Sequence, residues 1–289
     1  NARLSIGADY EFIHGLKFNT SASADTYFAQ NHIFKPTYLN YNNLSSVEAS
    51  RSMMAMIQWE NLLSYRFNIR NLHNFDLLAG MTYTYDLLEK MEGRAQGGPT
   101  NRIHEIGEGW PKTRTVEGMV ESLQSLVTDR QEQAMLSYLG RVAYNYKRRY
   151  MLDASIRFDG SSVFGKDVRW APFPSLGLGW AFSEESFMKD LWWLSFGKVR
   201  ASWGKSGQKF QEAYLAHGLM EESSTHLGEP GLIPSSMANS RLTWEKSDQY
   251  DLGLDLDLFN NRFKVKLGEL FCHLQRRYRA RPHGRSHQA

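Results

Sequence analysis

The feature that most constrains this chain is a strict alternation of apolar and polar residues in runs of about ten. The run 75–86 is one case, and its apolar face consists of Phe75, Leu77, Ala79, Met81, Tyr83 and Tyr85. The same alternation recurs over 136–147, 150–159 and 250–258. Ten residues is about the length at which a tilted β-strand crosses a bilayer, with one face toward lipid and the other toward a lumen. The pattern therefore predicts membrane-crossing strands.

The connections between these runs differ in length. Short turns are expected at 14–15, 71–74, 147–149 and 260–262, and long connections over 23–50, 87–133, 160–171 and 205–247. The connection 183–196 is intermediate, with one helical turn expected around 184–189, and helical spacing suggests a short helix over 116–126. Bacterial outer-membrane barrels combine short periplasmic turns with long extracellular loops. We therefore predict an all-β fold: about ten strands of an antiparallel transmembrane β-barrel, in five hairpins, over residues 1–267.

Composition agrees with a barrel and argues against a nucleic-acid partner. The aromatic fraction of 13% suits the girdles that flank a barrel's apolar band, and the mean hydropathy of −0.51 is normal where polar residues alternate with apolar ones. The net charge of +3 arises from the last 22 residues, 268–289, which hold five arginines and one acid. The remainder is close to neutral, so the basicity does not indicate a nucleic-acid-binding surface.

The segment 268–289 departs from the alternation that precedes it. Phe263, Val265 and Leu267 still share one face, but an Arg- and His-rich run with the single cysteine, Cys272, follows. We predict that residues 268–289 form a basic tail outside the barrel, with a shifted reading frame as one hypothesis for its origin. Because Asn1 stands in mid-strand without a leader, we also expect that the chain begins inside a longer protein.

Several ordered motifs resemble the SusC/RagA family of TonB-linked (TonB-dependent) outer-membrane proteins of Bacteroidetes. They are SYLGRVAYNY at 137–146, RFDGSSVFG at 157–165, RWAPFPS at 169–175, VRASWG at 199–204 and LTWEKSDQYDLGLD at 242–255. The match is dense over 134–266. It implies a larger barrel of about 22 strands with an N-terminal plug, driven by the TonB complex, that imports oligosaccharides or peptides with a SusD-like surface lipoprotein. The plug and the TonB-contacting segment are not recognisable in this chain.

The candidate substrate-binding residues follow from face and position. Arg141, Arg157 and Arg200 are expected on the face that points into the lumen, because a charge on the other face would contact lipid at a cost in free energy. They are candidates for substrate binding. The alternative is that they are ordinary lumen side chains that are solvated by water. Asp159 stands where a strand meets a loop, and cation binding is an alternative role for it. Trp110 and Trp170, in or beside long connections, are candidates for stacking on a sugar ring. Arg157, Asp159, Arg200, Trp110 and Trp170 thus form the predicted binding set.

Other constellations support no chemistry. Asp251, Asp255 and Asp257 alternate on one strand and are expected to line the lumen rather than to bind calcium. Trp192 and Trp193, beside a short turn, are expected as interface anchors. The sequence has no nucleophile elbow and no complete phosphate loop. We therefore predict a transport protein, not an enzyme, with no cofactor and no bound metal.

Two other classes of protein fit parts of the pattern. A small complete porin of about ten strands predicts a closed barrel and passive conductance. A soluble β-sandwich carbohydrate-binding module predicts apolar faces that pack on each other instead of meeting lipid. The two alternatives differ from the partial barrel in how the sheet closes and in whether its apolar face is covered.

Overall fold

The computed structural model describes residues 1–107, 109–116, 119–209, 214, 216, 218–226, 229–239 and 241–275. Its strands are β1 (Ala2–Ile13), β2 (Leu16–Lys35), β3 (Ser46–Ile69), β4 (His73–Gln96), β5 (Thr113–Val116), β6 (Met119–Ser122), β7 (Gln124–Tyr146), β8 (Tyr150–Ser161), β9 (Trp170–Trp180), β10 (Leu194–Gln208), β11 (Met220–His226), β12 (Glu229–Pro234), β13 (Glu245–Leu258) and β14 (Phe263–Gln275). Ten of them form one antiparallel sheet in the order β1-β2-β3-β4-β7-β8-β9-β10-β13-β14.

This sheet confirms the predicted ten strands and decides between the alternatives. Consecutive strands of the sheet are neighbours, as hairpin connections require, and β1 and β14 are its two edges. A closed porin of ten strands would pair those edges, so that alternative is wrong for this chain. The sandwich alternative is also wrong, because large apolar side chains such as Leu178, Leu252 and Leu267 are more than half exposed on one face of the sheet.

The chain divides into two compact units. Unit 1 comprises Asn1–Ile6, Ala22–Gln58 and Thr84–Gln133, and its buried cluster is Val47, Ala95 and Trp110 with Phe34 packed against them. Unit 2 comprises Gly7–Ser21, Trp59–Tyr83 and Ala134–Ala289, and its cluster is Phe164, Ala171, Phe173 and Trp244 with Met135. Each cluster has only three or four buried residues, and the exposed apolar side chains of the sheet belong to neither.

The predicted short turns are confirmed, whereas the long connections between strands of the sheet are shorter than expected. Turns occupy 14–15, 70–72, 147–149 and 259–262. The expected loop 23–50 is wrong in extent, since β2 continues to Lys35 and β3 begins at Ser46; likewise β4 continues to Gln96. Backbone pairing does not require an apolar face, so strands extend beyond the region where the apolar pattern is strong.

The helix predicted over 116–126 is wrong. Thr113–Val116 and Met119–Ser122 pair as an antiparallel hairpin, and Arg114 Nη2 lies 2.7 Å from Glu121 Oε2 across it. A β-branched residue such as Thr115 or Val116 favours a strand over a helix, and this preference outweighs the weak helical spacing. A second hairpin, β11–β12, was not predicted.

The remaining local predictions have mixed outcomes. Two 3-10 turns, Phe182–Glu184 and Ser186–Met188, stand where one helical turn was expected. The strand β14 extends to Gln275, past the predicted domain boundary at 267, while 276–289 lie outside the described residues. The assignment of 268–289 as a non-barrel tail therefore stays a prediction. No helix within the described ranges is long and apolar enough to cross a membrane.

Candidate functional site

The apolar face of unit 2 is bounded by tryptophans at both ends of β9. Trp170 and Trp180 share a face, with Pro172, Pro174, Leu176 and Leu178 between them. Their separation along the strand is roughly 33 Å at 3.3 Å per residue. Projected through the usual barrel tilt it is about 25 Å, the height of the apolar band of an outer-membrane barrel. The distance between the two tryptophans thus fits a bilayer.

The short-turn end of this face carries a chain of aromatic contacts on successive strands. Ring centroids are separated by 4.9 Å for Phe67–Phe75, 4.8 Å for Phe75–Tyr144, 6.3 Å for Tyr146–Tyr150, 6.0 Å for Trp180–Phe182 and 5.7 Å for Trp192–Phe259. We call these rings the aromatic row. Amphipathic rings concentrate at the headgroup level of a membrane. Trp192 belongs to this row, and the interface role of Trp192 and Trp193 stays a prediction.

The opposite face of unit 2 is polar, concave and crossed by ion pairs. Arg66 Nε lies 2.7 Å from Asp76 Oδ2, and Arg141 Nε lies 3.0 Å from both carboxylate oxygens of Asp153. Asp76 also interacts electrostatically with Arg141. These four residues lie on β3, β4, β7 and β8, neighbouring strands of the sheet. Positive and negative charges therefore alternate from strand to strand.

Arg200 continues this arrangement on β10 and β13. Its Nε lies 3.6 Å from Asp251 Oδ1, and its Nη1 lies 3.8 Å from Asp255 Oδ2. The guanidinium lies across Gly253, where a Cβ would displace it, so glycine allows this close approach. Arg66, Asp76, Asp153, Lys198, Arg200 and Asp251 line one concavity of about 910 Å³. A surface with both signs of charge suits polar groups rather than a single ion.

A second charged position lies nearer the long-connection end of β8. Arg157 donates from Nε to Asp159 Oδ1 at 2.6 Å and from Nη2 to Ser137 Oγ at 3.2 Å. Asp159 is only 7% exposed, whereas the side chain of Arg157 is 47% exposed. The carboxylate therefore fixes the guanidinium and leaves much of it open. An oriented arginine can donate to carboxylate, carbonyl or hydroxyl oxygens of a passing molecule.

The loop after Asp159 is held over the sheet by specific contacts. Ser162 donates from its amide to Ala134 O at 2.9 Å, and Ser162 Oγ accepts from the Ala134 amide at 2.9 Å. Phe164 packs against Trp244 with centroids 4.8 Å apart, and Trp244 Nε1 donates to Arg169 O at 3.1 Å. These contacts explain why the DGSSVF segment combines small hydroxyl residues with a buried aromatic ring. The motif anchors the loop beside Arg157.

The structure brings together only part of the predicted binding set. Arg157 and Asp159 are in contact, but Arg200 lies at a different height along the sheet. On β9, Arg157 stands opposite Phe173 and Arg200 opposite Gly179, and these two positions are roughly 20 Å apart along that strand. Trp170 lies on the apolar face, stacked on Tyr138 at 6.0 Å. A sugar in the lumen would not meet that ring.

Trp110 belongs to unit 1 and is packed. Its side chain is 3% exposed, and its Nε1 donates to Glu105 O at 2.8 Å. An indole ring in that state offers no face for stacking. Sequence reasoning also missed the roles of Asp76 and Asp153 as partners of arginines. The period-two pattern placed them on the lumen face, but pairing them required the register between strands.

The three aspartates of β13 are arranged as lumen lining. Arg200 lies 3.6 Å from Asp251 and 3.8 Å from Asp255, while in the β13–β14 register Asp255 stands opposite Lys266 and Asp257 opposite Lys264. Among the described residues, no group of three or more His, Cys, Asp or Glu side chains could hold a metal ion. Cations beside or opposite these carboxylates agree with lumen lining.

A carboxylate at the short-turn end ties three elements together. Glu185, in the connection between β9 and β10, accepts from the Tyr150 hydroxyl at 2.7 Å, from Trp180 Nε1 at 3.4 Å and from Arg149 Nη1 at 3.3 Å. The hydrogen bond from Tyr150 lowers the pKa of Glu185 most, and the hydrogen bond from Trp180 and the charge of Arg149 lower it further. Glu185 therefore stays ionised at neutral pH.

Comparison with known proteins gives a consistent family assignment. The model described as TonB dependent receptor-like, beta-barrel, matches residues 1–271. TonB-dependent receptor P3 of Formosa agariphila is 32% identical over 91% of the chain and 26% of its own length. TonB-dependent receptor SusC of Bacteroides thetaiotaomicron is 34% identical over 57% of the chain and 18% of its own length.

Solved structures agree on the fold. The structure of the RagAB peptide transporter matches with a TM-score of 0.80 and 24% identity, covering 93% of this chain and 29% of that one. The ferric citrate transporter FecA matches with a TM-score of 0.58 and 11% identity, covering 94% and 34%. The chain thus spans about a quarter of the length of the first of these relatives.

Proposed function

The chain belongs to the TonB-dependent receptor β-barrel family of the outer membrane, and from that premise we propose that it forms part of the wall of an importer. The imported molecules would be oligosaccharides or peptides, delivered with a SusD-like surface lipoprotein. The observation that carries the proposal is the two-faced sheet of unit 2. One face is an apolar band about 25 Å high between Trp170 and Trp180, and the other is a concave charged surface.

The charged face supports binding and passage rather than covalent chemistry. Arg157 is half exposed and held by Asp159, so it can donate to a substrate without first losing conformational entropy. Roughly 20 Å further along the sheet, Arg200 stands between two carboxylates. A polar molecule that passes along this face would leave its hydrogen bonds with one of these arginines and form hydrogen bonds with the other. The ion pairs are individually weak, about 0.2–1 kcal/mol each when exposed, which favours release over tight retention.

The partners follow from the family and are proposed on that basis. The SusC and RagAB relatives support a surface lipoprotein at the long-connection end and energy transfer from the TonB complex at the short-turn end. RagAB is a peptide transporter, which supports peptides as one substrate class for this chain. Outer-membrane lipid would cover the apolar face, and nothing on the chain indicates a nucleic-acid partner.

Uptake measurements in cells test this proposal. Cells that produce the whole receptor with the residues of this chain would be given labelled oligosaccharides or peptides. We expect uptake to require TonB, and Arg157→Gln to lower the apparent affinity about tenfold through loss of one charged hydrogen bond. Arg262→Gln, in a short turn, is the matched control and should leave uptake unchanged. Uptake that continued at full rate without TonB would refute the proposal.

A further inference from the structure

Two adjacent short turns place several cations beside the aromatic row. The β3–β4 turn contains Arg70, and the β7–β8 turn contains Lys147, Arg148 and Arg149. The two turns are joined, because the Lys147 amide donates to Leu72 O at 2.8 Å. We call Arg70, Lys147 and Arg148 the turn cations. All of them lie in unit 2.

The backbone of these turns indicates that the cations are not there for local folding. Arg70 and Asn71 have φ of 52° and 54°, and Lys147 and Arg148 have φ of 50° and 59°. β-turns with positive φ at both central residues favour Asn-Gly, and a bulky residue with positive φ is strained. Lysine and arginine thus occupy positions where asparagine and glycine would fold better. Strain of this sort points to a role for the side chains.

The turn cations are also free of carboxylate partners at close range. Arg149 is bound by Glu185 at 3.3 Å, and Lys147 lies 5.2 Å from the centroid of the Tyr146 ring while interacting at longer range with Glu185. In the ranges that the structure describes, no carboxylate oxygen lies within 4.0 Å of the cationic nitrogens of Arg70, Lys147 or Arg148. Their charge is available to a ligand.

The surroundings fix the depth of such a ligand. Tyr146 and Tyr150 border the turns, and Trp180 hydrogen-bonds the same Glu185 that holds Arg149. Aromatic rings of this type lie at the headgroup level, so the turn cations stand at the depth of lipid phosphates. Guanidinium and ammonium groups donate strong hydrogen bonds to phosphate oxygens.

We propose that the paired turns Arg70–Leu72 and Lys147–Arg149 bind the headgroup of an anionic phospholipid in the adjacent membrane leaflet. The charge complementarity and the continuity with the aromatic row carry this assignment. The site fixes the sheet at the correct depth and needs no transported substrate. It therefore rests on the membrane position of the sheet and not on import.

Lipid titration of the 289-residue chain tests the site. The chain in neutral detergent micelles would be titrated with brominated phosphatidylglycerol, with brominated phosphatidylcholine as the neutral reference, while tryptophan fluorescence is followed. We expect selective quenching by phosphatidylglycerol. The variant Lys147→Asn/Arg148→Gly should weaken this selectivity roughly 5- to 30-fold, because it removes two charges near the headgroup. The same variant introduces Asn-Gly, which the turn favours, so folding is preserved.

A matched control and three contrary results complete the test. Arg102→Gln/Lys112→Gln removes the same charge from the long connection between β4 and β7 and should leave the selectivity unchanged. Equal affinity for both lipids, or an equal loss in the control, would overturn the proposal. So would an acidic peptide that displaces phosphatidylglycerol, since it would identify a protein partner instead. Should circular dichroism show that the turn variant unfolds, Arg70→Gln on the neighbouring turn provides the same readout.

Discussion

The hairpins β7–β8 and β13–β14 have the same backbone pairing but differ in how well their residues suit a membrane. In β7–β8, every apolar-face position from Tyr138 to Tyr146 is uncharged, and Arg141 and Asp153 pair on the polar face. In β13–β14, Leu254 and Leu256 face Leu267 and Val265, but the pattern inverts at Glu269 and Leu270 before Phe271 faces Tyr250 on the apolar face. At these two positions a charge stands on the apolar face and a leucine on the polar one.

The inversion has a clear location. Glu269 faces Leu252, which is level with Ala201, Leu178 and Leu152 across the sheet, and Leu270 faces Asp251. Antiparallel pairing depends on backbone groups alone, so the ladder continues even where the side chains no longer match the two environments. The prediction that residues from 268 onward are not barrel sequence is not settled by this contrast, because β14 pairs with β13 as far as Gln275 and the family model reaches residue 271. Sequencing the coding DNA would reveal a shifted reading frame.

The largest effect should come from a charge placed on the apolar face of β8. We expect Ile156→Arg to lower the free energy of unfolding in lipid vesicles by about 2–4 kcal/mol, because Ile156 lies midway between the two tryptophan levels. Ser155 faces the lumen, so the control Ser155→Arg should lower the free energy of unfolding by only about 1 kcal/mol, because it removes the hydrogen bond with Ser175. Equal losses in denaturant titrations would show that the two faces of β8 do not differ.

A smaller and opposite effect is expected in β14. Glu269→Leu removes a carboxylate from the apolar face and should raise the free energy of unfolding by about 1–2 kcal/mol, less than for a basic residue at the midplane. Lys266→Leu serves as the control and should not stabilise, since residue 266 stands opposite Asp255 on the lumen face and gains no contact with lipid. No gain from Glu269→Leu, measured in the same vesicles, would mean that β14 does not contact lipid.

The smallest effect concerns pH at the turn of β7–β8. The pKa of Glu185 is below its ordinary value of 4.5, chiefly through the Tyr150 hydrogen bond. A depressed carboxyl pKa means that the stabilisation is complete above pH 4.5 and is lost as the pH falls through the folded-state value. The temperature of thermal unfolding should therefore fall as the pH drops below 4.5, and Glu185→Gln should weaken this pH dependence. The stability of the hairpin β13–β14 should be the same with and without Glu185→Gln.

Sequence alone predicted the sheet well, because alternation is a local property. The strands around Phe75 and Leu152 and the turns at 147–149 and 260–262 follow from neighbouring residues. The pairing of Arg157 with Asp159 is also local, since residues two apart on a strand share a face. These features need no knowledge of distant segments.

The features that the sequence did not reveal depend on contacts between distant segments. Trp110 is buried against Val47 and Ala95, more than ten residues away in the chain. Trp170, expected in or beside a long connection, begins β9 opposite Gly160 and stacks on Tyr138. The partnership of Arg141 and Asp153 depends on the β7–β8 register. None of these contacts can be found from the period-two pattern.

The two-faced sheet can be tested directly with spin labels along β8. In a Cys272→Ser background, single cysteines at positions 151–158 would carry nitroxide labels in lipid vesicles, with collisions measured against oxygen and a water-soluble nickel chelate. We predict that oxygen contact is highest at Leu152, Ala154, Ile156 and Phe158, and that nickel contact is highest at the residues between them. A profile without this period-two alternation would contradict a sheet with one lipid-facing and one lumen-facing side.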